Sequence, residues 1–160
     1  MRWIWIDKFV EFTPRTSATS VKNVTLAEEH LHDLYPVFPL VPHSLIVEGM
    51  AQTAGILVGE ARNFAEKVIL AKIGKATFHR LVRPGDTIQF IAKIDHLDEA
   101  GASISGTVKV ENDLVAEIEM MFSHIDKNLA GIEFPEHNFV FTEQFTELLK
   151  TYRLNATVSL

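Results

Sequence analysis

"VPHSLIVEGMAQTAGILVGE", residues 41–60, decides how the rest of the chain must be arranged. Leu45, Ile46, Val47, Met50, Ala51, Ala54, Ile56, Leu57 and Val58 leave no wide polar face. A helix here is apolar nearly all the way round and must be buried on most sides. Ser44 is a suitable N-cap, which predicts a helix from there to about Ala61–Asn63. The apolar zone 44–58 would reach only ~22 Å as a helix, and Glu48 and Gln52 interrupt it. It therefore predicts a core helix and not a membrane span.

The segments on either side supply what can cover such a helix. "WIWIDKFVEF" (3–12) is rich in aromatic and β-branched residues and predicts a first strand; "TSATSVKNVT" (16–25) predicts a second. "LAEEHLHDLYPVFPLVP" (26–42) reads as a connection, with Pro36, Pro39 and Pro42 favouring extended backbone. After the helix the period changes to two. "VILAKIGKATFHRLV" (68–82) is a long strand with Gly74 at a bulge or bend. "RPGD" (83–86) is a turn, and "TIQFIAKIDHLD" (87–98) puts Ile88, Phe90, Ala92 and Ile94 on one face. "EAGA" (99–102) turns again, and "SISGTVKVEND" (103–113) and "LVAEIEMMFSHI" (114–125) complete an antiparallel meander. A domain over 1–125 is followed by an extension, 126–160. There Phe145, Leu148, Leu149 and Tyr152 predict a short amphipathic helix, 142–153. One apolar helix before a run of long strands predicts an α+β fold, a sheet wrapped around a central helix. Its open edges favour pairing of two copies.

Composition narrows the partners. A formal net charge of −6 argues against binding nucleic acid. The absence of cysteine removes disulfides, thiolate metal sites and a cysteine nucleophile, and fits a reducing cytoplasm. "MRWIWIDKFVEF" lacks the long apolar core and cleavage site of a signal peptide. His30 and His32 are spaced as half of a metal site, but without further clustered ligands no metal is expected.

Glu48 and Gln52, four apart, share one helix face. A carboxylate among Leu45, Ile46, Val47, Met50 and Ala51 is either a solvated or ion-paired residue, or a partly desolvated acid or base. Gly49, Gly55 and Gly59 offer places where another backbone or a ligand can come close.

Five segments, in order over about residues 5–125, resemble the FabZ-type 3-hydroxyacyl-acyl carrier protein dehydratases, which have the hotdog fold. They are "WIDKFVEF", "SVKNVT", "PVFPLVPHSLIVEGMAQTAGIL", "GKATFHRLVRPGDTIQF" and "VAEIEMMF". The resemblance implies that water is eliminated from a 3-hydroxyacyl thioester carried on phosphopantetheine, with no cofactor of the protein's own. In that family a histidine takes the proton α to the carbonyl, a helix carboxylate from the other subunit helps the hydroxyl leave, and backbone N–H groups polarise the carbonyl. Glu48 aligns with the carboxylate. Where the family carries G-H-F-P this chain has Asp33, Leu34, Tyr35 and Pro36, so Leu34 stands at the histidine position. His43 and Val37 stand where the family has glycines.

Leucine cannot take a proton, which leaves four readings: a dehydratase whose base is His43 or His32, a thioesterase using Glu48, a non-catalytic acyl binder, or one half of a heterodimer with a histidine-bearing homologue. Gln52, beside Glu48, is expected together with Leu34, Phe78 and Phe90 to line the acyl site. The basic residues Lys72, Lys75, Arg80 and Arg83 suit an acidic acyl carrier protein. Coenzyme A thioesters are the other expected substrates, and a homodimer or trimer of dimers the expected assembly.

Overall fold

The structure, a computed structural model, describes residues 3–125 together with 128, 129, 132, 133, 140, 141, 147 and 149. Strands β1 (Lys8–Thr13) and β2 (Ser17–Asn23) are followed by helix α1 (Glu29–Asp33) and helix α2 (His43–Glu60). Then come β3 (Lys67–Phe78), β4 (Thr87–Leu97), β5 (Gly101–Val110) and β6 (Asp113–Ile125), with a small hairpin of β7 (Asn128–Leu129) and β8 (Ile132–Glu133). One antiparallel sheet runs in the order β1-β2-β4-β5-β6-β3. The meander is thus β4-β5-β6, and β3 crosses to the far side of β6 to form an edge.

The sheet curls around α2, which touches β2 through β6. From Met50 to Gly59 every residue of α2 except Ala51 is buried, as a helix without a polar face requires. Ile88, Phe90 and Ala92 of β4 are fully buried against it and Ile94 partly so, the face expected from alternation. The glycines of α2 receive rings and not a ligand. Phe90 occupies the space a side chain at Gly49 would fill, Phe122 lies at Gly55, and Phe141 stands 2.6 Å from where a Cβ at Gly59 would be.

Four local expectations are corrected. The first strand begins at Lys8 and not Trp3, because the backbone N–H groups of Trp5 and Ile6 bond to the Gln52 side chain instead of a neighbouring strand. Helix α1 interrupts the expected connection 26–42, and Glu28 accepts from the Thr25 N–H in a capping-box-like turn just before it. Pro42, not Ser44, takes the N-cap position of α2, with no side-chain cap. Strand β3 ends at Phe78, since the Val82 carbonyl bonds the Val41 N–H ahead of α2. The register of β3 against β6 slips at Ala71 and at Gly74, the latter the expected bulge. At 83–86 the Asp86 N–H closes on the Arg83 carbonyl, with Gly85 at φ 96°. The expected helix 142–153 lies outside the described residues, except that Glu147 and Leu149 are helical.

Candidate functional site

Glu48 is half-buried in the second turn of α2, and its neighbour one turn on holds it. Gln52 is 3 % exposed, and its amide can point only one way. Its oxygen accepts from the Trp5 N–H at 2.8 Å, so its nitrogen faces the Trp3 carbonyl at 3.1 Å and donates to Glu48 Oε1 at 2.7 Å. The side chain expected to meet substrate is thereby committed to clamping residues 3–6 across the helix and orienting the carboxylate. A second lock lies one residue along. Thr53 donates to the Gly49 carbonyl at 2.7 Å, which leaves its oxygen to accept from Ser20 of β2 at 2.6 Å. Both hydroxyls are buried and satisfied, and together they fix the rotation of α2 against the sheet.

The N-terminus of α2 ends without a cap. Leu45 and Ile46 donate to the Pro42 carbonyl, and the N–H groups of His43 and Ser44 make no hydrogen bond among the described residues. They carry the positive end of the helix dipole.

The structure does not gather the expected histidines at Glu48. His43 is exposed and stacks flat on Phe78, ring centroids 3.9 Å apart and planes within 1°. Five residues along a helix place it about 140° around the axis from Glu48. His32 is exposed on α1, and Leu34, at the C-cap of that helix, is 56 % exposed. Because this stretch is helical and not extended, the two point about 200° apart. Phe90 is completely buried under Gly49 as core, while Phe78 is half-buried beneath His43. Among the basic residues, Lys72 and Lys75 are exposed on edge strand β3. Arg80 is spanned by both carboxylate oxygens of Asp86 at 3.3 and 3.4 Å and lies 3.6 Å from Asp113. The Arg83 guanidinium lies over the Phe38 ring at 4.3 Å. Two of the four therefore shape the 80–86 loop.

One cluster was missed from sequence. Lys22 bonds Glu28 at 3.0 Å and pairs with Asp7 at 3.5 Å, and its ammonium lies 4.8 Å above the Trp5 ring. His30 stands edge-on to Trp5, centroids 5.4 Å apart, with Nε2 3.6 Å from Glu28 Oε2. These residues come from β2, α1 and the N-terminal segment, and only the Thr25-x-x-Glu28 spacing hinted at the turn that joins them. On the opposite, outer face of the sheet lies a depression of about 390 Å³ walled by Ala71, His96, Asp98, Ser103, Met121 and Ser123. Backbone N–H groups of Gly101 and Ala100, then His96, hold the Asp98 carboxyl below the usual range. No helix among the described residues is long and apolar enough to cross a membrane.

A six-stranded antiparallel sheet wrapped around one apolar helix, with an oriented carboxylate in the helix, defines a hotdog-fold domain. The chain belongs to the family of the FabA-like domain, whose model matches residues 4–119, and within it to the FabZ-type 3-hydroxyacyl-acyl carrier protein dehydratases. The 3-hydroxyacyl-[acyl-carrier-protein] dehydratase FabZ of Rickettsia bellii (strain RML369-C) is 37% identical over 130 residues, covering 79% of this chain and 88% of the relative. Solved structures share the fold at low identity. The smu.793 protein of Streptococcus mutans UA159 bound to acetyl CoA has TM-score 0.61 and 14% identity, covering 74% of this chain and 87% of that one. The dehydratase heterocomplex ApeI:P from Xenorhabdus doucetiae has TM-score 0.58 and 15% identity, covering 77% and 99%.

Proposed function

We propose that this protein eliminates water from a 3-hydroxyacyl thioester to give the trans-2-enoyl thioester, and that Glu48 protonates the departing hydroxyl. The observation that carries the reading is the commitment of Gln52 to Glu48. A buried amide with all its polar atoms used holds one carboxylate oxygen, leaving the other to carry a proton toward substrate. The uncapped N–H groups of His43 and Ser44 suit the thioester carbonyl, where negative charge develops as the α-proton leaves. Proton transfer of this kind calls for no cofactor beyond the phosphopantetheine arm, which travels with the substrate.

The exposed lysines Lys72 and Lys75 suit an acidic acyl carrier protein as donor, with coenzyme A thioesters as simpler substrates. Edge strand β3 exposes Leu70 and Ile73, and a second copy laid along it would cover them. Such a dimer, or one formed with a related chain, would set each Glu48 near the loops of its partner.

The test follows hydration of a short trans-2-enoyl thioester by its loss of enoyl absorbance, with free thiol monitored in parallel. Hydration by the wild type that falls at least about 100-fold in Glu48→Gln, with no thiol released, is the expected result. Thiol release dependent on Glu48 without hydration would replace the reading with a thioesterase. Silence in both channels would leave an acyl-binding subunit.

A further inference from the structure

We propose that the Trp3 indole walls the acyl-tail end of the site and gives this chain its preference among acyl lengths. The inference rests on the dehydratase reading above, because it takes Glu48 to act on the substrate. The hydroxyl that Glu48 protonates sits on C3, and C3 carries two unlike arms. One is C2 with the thioester carbonyl, which needs hydrogen-bond donors. The other is the tail from C4 onward, which needs apolar surface.

A single side chain puts Trp3 beside the acid. Gln52 Nε2 stands 3.1 Å from the Trp3 carbonyl oxygen and 2.7 Å from Glu48 Oε1, so the two oxygens are no farther apart than those bonds laid end to end. The link lies within one chain and holds whatever a second subunit brings to the site. Fixed at its backbone, Trp3 still has an indole that is 51 % exposed. The ring is backed on one side by Trp5, with centroids 5.4 Å apart and planes tilted 37°. Trp5 is itself buried and anchored, its N–H bonding Gln52 and its ring lying under the Lys22 ammonium. An exposed ring leaning on a fixed one offers a large apolar contact with little further ordering to be done.

Chemistry decides which arm meets it. The polar atoms at this place are engaged, since the Gln52 amide and the Trp3 carbonyl bond each other and Glu48. What faces outward is hydrocarbon: the indole, and Ala51, which alone between Met50 and Gly59 of α2 is not buried. Donors for the thioester carbonyl lie instead at the N-terminus of α2, in the opposite direction along the helix from Gln52. The apolar arm therefore falls to Trp3 and Ala51. Trp3 also precedes residues 4–119, the stretch the family model matches, so the family supplies no role for it.

The experiment measures kcat/KM for hydration of four-, six- and eight-carbon trans-2-enoyl thioesters of coenzyme A by wild type, Trp3→Ala, Trp3→Phe and Glu48→Gln. Leu114→Ala, which trims another exposed apolar side chain, is the reference, and thermal melts establish that each variant is folded. Trp3→Ala removes the indole and keeps the clamp, because Gln52 bonds the backbone of residue 3. Burying one methylene is worth about fourfold, so the wild type should gain about 4- to 15-fold per two-carbon step. In Trp3→Ala each step should shrink to about twofold or less, with Trp3→Phe between the two. A merely structural role would lower all three lengths by one common factor, and that result, or a wild-type length profile in Trp3→Ala, would overturn the assignment. If Glu48→Gln is inactive in the same series, the dehydratase reading survives that failure. Binding is read separately with the eight-carbon alkyl thioether of coenzyme A, which can be neither hydrated nor hydrolysed. Trp3 and Trp5 are the only tryptophans, and Trp5 is buried, so the thioether should shift the wild-type emission to shorter wavelength and leave that of Trp3→Phe unmoved. A shift that depends on Trp3 in a protein without hydration activity would support the tail site and overturn the dehydratase reading. Neither hydration nor a shift would remove both.

Discussion

Gln52 shows how far a single residue could be understood before the structure. Its place beside Glu48 was legible, because residues four apart on a helix are neighbours wherever the helix goes. Its other duty was not. The bonds to Trp3 and Trp5 span 49 and 47 residues of chain, and no local pattern encodes that meeting. His43 raises a related point of geometry. Proximity to Glu48 in sequence suggested proximity of side chains, whereas helical rotation turns the ring toward Phe78. Gln52→Ala would leave the Trp5 N–H without its acceptor inside the protein and free Glu48 to rotate. One unsatisfied buried donor costs about 1–3 kcal/mol. The expected outcome is a lower midpoint in urea at unchanged slope, together with a drop in kcat for hydration. A Gln52→Glu variant should do worse at neutral pH, since its carboxylate would face the Trp3 carbonyl and Glu48 with no proton to donate.

At the scale of the element, α2 was the most legible part of the chain and α1 the least. An apolar stretch broken by one acid could only be a buried helix, and its boundaries fell within a residue or two of expectation. What the composition could not show was the use made of its glycines, because their partners lie on β4, β6 and beyond residue 125. Helix α1 escaped notice because three prolines dominate its neighbourhood, although all of them follow it. The ring contact at Gly49 can be tested against a competing effect. Alanine is favoured over glycine in a helix by about 1 kcal/mol, so propensity alone predicts that Gly49→Ala stabilises. The new methyl, however, would meet the Phe90 ring, which is fully buried and has no open side to move into. Overpacking of this kind costs about 1–3 kcal/mol and should win. Gly49→Ala is therefore expected to lower the melting temperature, and pairing it with Phe90→Leu should recover part of the loss. Stabilisation by the single substitution would mean that Phe90 does not press on the helix as described.

For the whole molecule, the succession of strands along the chain and the central helix followed from the alternation of periods and from the family resemblance, which ends near residue 125, whereas the sheet order, with β3 outside β6 and β2 beside β4, did not. The extension was set apart for the same reason, as a stretch with its own short helical pattern. Yet Phe141 and Leu149 are buried in the same cluster as Ile56, Leu57 and Phe122, so the extension contributes side chains to the one core. Phe141 lies against Gly59, and its ring meets Phe64 edge-on at 5.0 Å, at the end of α2 away from Glu48. Glycine at 59 makes sense only if that ring is present, since removing it would open a void along the last turn of the helix. Phe141→Ala is expected to cost about 3–5 kcal/mol, the range for a buried aromatic. Because Phe141 and Glu48 sit toward opposite ends of α2, hydration activity per folded molecule should change little. Urea unfolding followed by tryptophan fluorescence checks the first statement, and kcat below the melting transition checks the second. A stability near wild type would mean that the 1–125 domain holds its core without the extension. A large loss of kcat in protein that is still folded would mean instead that the far end of α2 positions the acid, and that the extension belongs to the functional site.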